Sequence, residues 1–212
     1  MALRADARRN QERLLDAARA LIAERGAQVP LEDVAREAGV GIGTLDRRFP
    51  DREALLRAVV LDALERARVA AEHAAELEDP FEALATYLRV ALELRVSAVM
   101  PQVLDVMDLD DPEMAKARDA SAVERLVQAA HDAGAIPADV TFSDVAMMLV
   151  RIARPLPGPL PREVKDDLAR RHLELFIRGL RAPADGELDG PGLSFAELRQ
   201  RVAQSAEDGA EE

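Results

Sequence analysis

The residues best suited to chemistry fall in the first quarter of the chain. Thr44, Arg47 and Arg48 share the exposed face of a short helical segment, where hydroxyl and guanidinium donors suit the base edges and phosphate oxygens of duplex DNA. Arg52 opens the next helix, where it would meet a phosphate or pair with a surface carboxylate. Arg4, Arg8 and Arg9 read either as a charged tail or as an arm reaching the adjacent backbone or minor groove. Other constellations fail on spacing. Gly39, Gly41 and Gly43 suggest a phosphate-cradling loop, but that chemistry needs a preceding strand and here a helix precedes. His73, His131 and His172 lie on separate helices, and Glu72, His73 and Glu76 read as a solvated face. Cysteine is absent and no serine sits in a nucleophile elbow. No catalytic residue, metal or cofactor is therefore expected, and no enzyme activity.

The elements that position these side chains follow from apolar spacing. Leu14, Leu15, Ala18, Leu21 and Ile22 predict a helix over about residues 8–25, stopped by Gly26. Leu31, Val34, Ala35 and Ala38 make a short second stripe ended by Gly39, and Ile42, Leu45 and Phe49 a third closed by Pro50. Helix, short helix, glycine-containing turn and short helix is the order of a DNA-reading helix-turn-helix. Asp51 can cap a fourth helix running to about Glu76. Asp79-Pro80 and Asp111-Pro112 open two further helices, the latter ending at Gly134, and Pro101 is expected to break or kink the segment between Leu94 and Met107. Thr141 with Asp144 predicts a capping box for a helix to about Arg154. The proline-rich run 155–161 connects it to a last long helix over about 162–181. Residues 182–212 read as a loose acidic tail with a possible short helix over 195–202.

The expected class is all-α, with about nine helices. High charge (32%) with few aromatics (3%) fits helices and not a β-sandwich. A net charge of −12 argues on its face against nucleic acid, yet residues 1–58 carry eleven Arg against ten acids. The remainder holds the whole negative excess. No apolar run is long enough for a membrane span or signal core, so a cytoplasmic protein without a membrane partner is expected.

The stretch RLLDAARALIAERG followed by LEDVAREAGVGIGTLDRRFPDREALL resembles the TetR family of bacterial transcriptional repressors over residues 10–57. Ala17-Ala18, Gly26, Val34-Ala35, Ala38-Gly39-Val40, Gly43-Thr44-Leu45, Phe49 and Glu53 carry the match at one fixed spacing. The resemblance implies a DNA-binding domain over 1–50, a connecting helix over 51–78 and an effector-binding, dimerising domain over 79–181. It implies DNA contact by Gly43, Thr44, Arg47, Arg48 and Arg52, with Arg8 and Arg9 as arm residues. Three positions depart from the family pattern. Pro30 stands where Thr or Ser caps the second helix, Asp46 replaces a common phosphate-contacting Tyr, and Arg48 replaces a common His.

The implied partners are a near-palindromic operator, a second copy of the chain and a small apolar effector. Met100, Val103, Leu104 and Met107, faced by Leu126, Met147 and Met148, are either plain core or the lining of the effector pocket. Phe142, Val145 and Leu149 on one helix, and Leu168, Leu175 and Phe176 on the next, are expected to form a four-helix bundle with their symmetry mates. Gly179 would let those helices approach closely, although such a stripe could also complete the monomer's own core. The expected function is a ligand-released repressor. The alternatives are a helical sensor that has lost DNA binding, or an activator or global regulator without an effector.

Overall fold

Capping chemistry starts the helices where the sequence places it. The Asp51 carboxylate accepts from the Ala54 N–H at 2.8 Å, and Asp79 accepts from Phe81 and Glu82 at 2.8 and 3.3 Å with Pro80 in the first helical position. Thr141 and Asp144 form a reciprocal capping box, with bonds of 3.2 Å to the Asp144 N–H and 2.8 Å to the Thr141 N–H. The computed structural model describes residues 2–103, 121–181, 188–190, 192–193, 197 and 200–201. Within them the helices are α1 (Ala2–Arg25), α2 (Leu31–Glu37), α3 (Ile42–Arg48), α4 (Arg52–Ala74) and α5 (Pro80–Glu93). They continue as α6 (Val96–Val103), α7 (Ser121–Asp132), α8 (Phe142–Ala153) and α9 (Arg162–Arg181), and no strand occurs among the described residues.

Two boundaries differ from expectation. The chain is helical from Ala2, so Arg4, Arg8 and Arg9 belong to the first turns of α1, which begins before residue 8. The break expected at Pro101 comes earlier. Arg95 takes the left-handed conformation (φ 55°), its carbonyl accepts from the Ala98 and Val99 N–H groups at 3.1 and 3.0 Å, and α6 begins there with Pro101 inside it. A 2.8 Å ion pair from Arg95 to Asp166 of α9 anchors this turn. The predicted Asp111-Pro112 cap and the body of the acidic tail lie outside the described residues.

In the head, α1 and α4 enclose the helix-turn-helix pair, with Leu14, Ile22, Val34, Leu45 and Leu55 almost completely buried. Gly39 supplies the turn's left-handed residue (φ 66°), which allows the Val40 N–H to reach the Ala35 carbonyl at 3.0 Å and the Gly39 N–H the Arg36 carbonyl at 3.1 Å. Arg52 ties the preceding loop down: its Nη1 donates to the Ala27 carbonyl at 2.9 Å and the Val29 carbonyl at 2.6 Å. A nearly buried Arg19 joins α1 to α4 through Asp62, which Arg66 also contacts at 2.9 Å, while Asp16 contacts Arg19 at 3.0 Å.

In the body, α5 and α9 run antiparallel and are stitched by charge. Arg181 lies 3.3 Å from Glu82 and stacks on Phe81, Arg89 makes two bonds to Glu174 at 2.6 and 3.0 Å, and Arg170 bonds Glu93 at 2.8 Å. The hydrogen bonds from Arg89 hold the Glu174 carboxyl below the usual carboxylate range. These pairs are exposed, so they set register more than stability. Stability comes from one continuous apolar cluster, in which Leu84, Leu88, Val99 and Leu173 are nearly inaccessible.

Two measurements test this packing. Arg52→Ala removes both charge-assisted bonds to the loop carbonyls, and it should lower unfolding stability by about 2 kcal/mol in a urea titration. Tyr87 is the single tyrosine of a chain without tryptophan, and burial pushes its phenol up to about 12. Its ultraviolet phenolate signal should therefore appear near pH 12 in the folded protein. Because the unfolded phenol ionises near pH 10, the unfolded chain releases its proton first, so stability should fall as pH rises from about 10 to about 12.

Candidate nucleic-acid interface and internal cavity

The third helix is divided sharply into two faces. Leu45 is inaccessible and fixes α3 to the head, while Gly43, Asp46, Arg47 and Arg48 are exposed and Thr44 is half-buried. Neither short helix has a side-chain cap: Pro30 precedes α2 with φ −59° and no cap bond, as the absence of Thr or Ser there implies, and Gly41 precedes α3. The outer side chains are held from below. Arg47 Nε donates to the Gly43 carbonyl at 2.9 Å, and Arg48 Nη2 donates to the Gln11 side chain of α1.

Charge accounting explains how a head with nearly balanced charges keeps a basic face. Arg25 and Arg36 both pair with Asp33, and Arg19 and Arg66 share Asp16 and Asp62. Arg13, Arg47 and Arg48 are bonded only to neutral oxygens among the described residues, so their charge is uncompensated. Sequence reasoning passed over Arg13. The signal was available in its position four residues after Arg9 on one face of α1, and it approaches the Gly39 turn to within van der Waals range of a Cβ placed there. Arg9 is exposed, and the Arg8 side chain lies outside the described residues. Arg52, expected at a phosphate, spends Nη1 on the loop carbonyls and is a half-buried clamp at the rim of this face.

In the body, α4, α5, α6, α7 and α8 line a cavity of ≈ 140 Å³ that opens to the surface. Its wall includes Leu64, Tyr87, Leu88, Phe142, Val145 and Leu149. This differs from the expected methionine-lined pocket. Leu126 is buried and Met100 packs half-buried on the core, but neither borders the cavity. Val103 ends α6, Leu104 and Met107 lie outside the described residues, Met147 is half-buried, and Met148 is 39% exposed on the outer side of α8. The reason is helical phase. Val145 and Leu149 are four apart and turn inward together, which turns Met148 outward.

The same phase corrects half of the expected dimer stripe. Phe142, Val145 and Leu149 face the monomer's own interior. On α9, Leu173, Ile177 and Leu180 are buried, Phe176 packs against the core, Leu168 is half-buried and Leu175 is 58% exposed. A Cβ added at Gly179 would meet nothing within 4 Å. The outward apolar face thus consists of Met148, Leu156, Leu160, Val164 and Leu175, beside a cleft of ≈ 470 Å³ edged by Arg151, Arg154 and Lys165. A further cleft of ≈ 500 Å³ between α1, α5 and α9 is lined by arginines already paired with Asp16, Glu93 and Glu174. Among the described residues no group of His, Asp and Glu could hold a metal ion, and no helix is long and apolar enough to cross a membrane.

Comparison with known proteins agrees with this geometry. Residues 14–59 match the family model described as bacterial regulatory proteins, tetR family, and residues 79–182 match the C-terminal domain of SbtR-like transcriptional regulators. A TetR transcription regulatory protein from Mycobacterium vanbaalenii is 32% identical, covering 85% of this chain and 99% of that one, with a TM-score of 0.56. A TetR transcriptional regulator from Streptomyces coelicolor is 34% identical over 82% of this chain and 99% of that one, with a TM-score of 0.57. The TetR-like regulator LfrR from Mycobacterium smegmatis, solved in complex with proflavine, is 25% identical over 79% and 95% of the two chains, with a TM-score of 0.56. No curated protein sequence matches significantly. With a helix-turn-helix whose third helix buries Leu45 and presents Arg47 and Arg48, and with both family models matched in order, the chain belongs to the TetR family of transcriptional regulators, which bind DNA and are not enzymes.

Proposed function

We propose that the protein is a homodimeric repressor that reads a near-palindromic operator with α3 and is released by a small apolar effector. The observation that carries this reading is the uncompensated face of α3. Thr44, Arg47 and Arg48 present donors while Leu45 locks the helix beneath them. Gly43 keeps the helix start free of a side chain, and Arg9, Arg13 and Arg52 flank it at phosphate-contact positions. Asp46 stands exposed between these cations and sharpens the demand for a particular register on the backbone.

The second copy sits on the outer face of α8 and α9. Met148, Val164 and Leu175 are exposed apolar side chains on consecutive helices, Gly179 leaves room for close approach, and Phe176 and Leu168 lie at the edge of the same surface. Two heads joined there stand about one DNA turn apart, roughly 34–36 Å, as a palindrome requires. The effector site is the cavity bordered by Tyr87 and Phe142. The TetR-like regulator LfrR, solved in complex with proflavine, supports a small-molecule role for this chain as well. Binding there releases DNA by favouring a dimer with wrongly spaced heads, which needs only a few kcal/mol of differential affinity.

Selection from random duplexes at low salt tests the central reading: an inverted repeat should be enriched, with affinity falling steeply as salt rises. Absence of any enriched sequence rejects it. On the selected site, Arg47→Ala should cost about 1–3 kcal/mol and relax preference at particular base pairs in a mobility-shift series. A loss of equal size on every sequence would move Arg47 to the phosphates. For the interface, Leu175→Asp should give helical monomers by sedimentation and circular dichroism, because Leu175 is exposed in the monomer and buried only by a partner. A dimer unchanged by this substitution places the interface elsewhere.

A further inference from the structure

We propose that the cavity between α4, α5 and α8 takes a neutral molecule of a single six-membered ring bearing one hydroxyl, of the size and polarity of phenol. The assignment of this site to regulation rests on the repressor reading above, whereas the chemistry of the occupant rests on the cavity itself.

Size sets the first limit. A volume of ≈ 140 Å³ is close to that of an engineered apolar protein cavity of about 150 Å³ that holds one benzene. A single ring fills that volume. The wall sets the second limit: Leu64, Leu88, Val145 and Leu149 are apolar, and Phe142 and Tyr87 offer ring faces and edges to an aromatic guest.

Charge sets the third. Among the described residues of the wall Arg68 is the one cation, and it bonds Glu65 at 2.9 and 2.7 Å and also Glu72. Those bonds raise its affinity for its proton and satisfy its donors on the outer side of α4. A carboxylate guest would thus lose its hydration and find no uncommitted cation. A cationic guest would find no carboxylate among the described residues of the wall. Among the described wall residues there remain two that bear hydroxyls, Tyr87 and Ser97, on neighbouring helices. The Tyr87 phenol is protonated at neutral pH, so it can donate to or accept from one guest hydroxyl.

Titration calorimetry on the full-length protein without DNA tests the proposal, with phenol, toluene, benzoate and decanoate as probes. Phenol should bind most tightly, toluene more weakly, and benzoate and decanoate not measurably. Tyr87→Phe and Ser97→Ala preserve shape, and at least one should weaken phenol about tenfold while leaving toluene unchanged. Ala146→Leu, which fills the space from α8, should abolish both. Benzoate or decanoate binding as tightly as phenol overturns the proposal, as does a complete lack of ring binding or phenol affinity indifferent to all three substitutions. A mobility shift with the selected operator separates the two readings. Phenol that binds the protein without releasing DNA supports the occupant and rejects the regulatory role. Operator binding that persists in a protein to which no ring binds rejects the occupant and leaves DNA recognition standing.

Discussion

A single buried ridge along α4 is the constraint on which the remaining architecture depends. Leu55, Leu56, Val59 and Val60 belong to the head's core, and Ala63, Ala67, Ala71 and Ala74 continue the same face into the body. The change from large to small side chains lets α5, α6 and α7 approach the helix closely beyond the head. At 23 residues α4 is about 34 Å long and has no internal proline or glycine to bend it. Its first turn is capped beside the Arg52 clamp, and Leu64, Ala67 and Arg68 border the cavity two turns from its far end. A displacement of the cavity wall is therefore carried to the head by a stiff element.

The joint between head and body is polar where the ridge is apolar. Arg19 is buried beside α4, and the cost of removing its charge from water is offset only because Asp16 and Asp62 both reach it. One carboxylate on each helix makes the contact directional, so α1 cannot slide along α4 without exposing an unmatched charge. The contact of α6 with α1 and the longer Arg162–Glu37 pair at 3.6 Å add two further links between the units. The Arg162–Glu37 pair is largely exposed and adds little stability.

Features governed by local chemistry were legible in the sequence. The capping pairs at Asp51, Asp79 and Thr141, the glycine turn at Gly39 and the inward position of Leu45 all follow from short-range rules, and all appear in the structure. Features decided by tertiary contact were not. The turn at Arg95 uses a non-glycine residue in the left-handed region, supported by Asp166 more than 70 positions away, and it displaced the break assigned to Pro101. The apolar residues of α8 form a stripe wide enough for two partners. Periodicity could not say that Val145 and Leu149 face the cavity while Met148 faces outward. Arg52 shows the same limit: its charge suggested phosphate, and the two loop carbonyls that accept from its Nη1 could not be read from the sequence.

The separation of charge along the chain has a kinetic meaning. Arg13, Arg47 and Arg48 put uncompensated positive charge on a head whose first 58 residues are nearly balanced overall, while the residues after 58 hold the negative excess of a molecule with net charge −12. In the field of a polyanion such a molecule feels a torque as well as a force, and the torque acts before contact. A body-first encounter is repelled and a head-first one is drawn in, so a larger share of collisions arrive correctly oriented than a uniformly basic protein of the same affinity would manage. The acidity that on its face opposes DNA binding thereby acts as a rudder during approach, and its effect fades as added salt shortens the reach of the field.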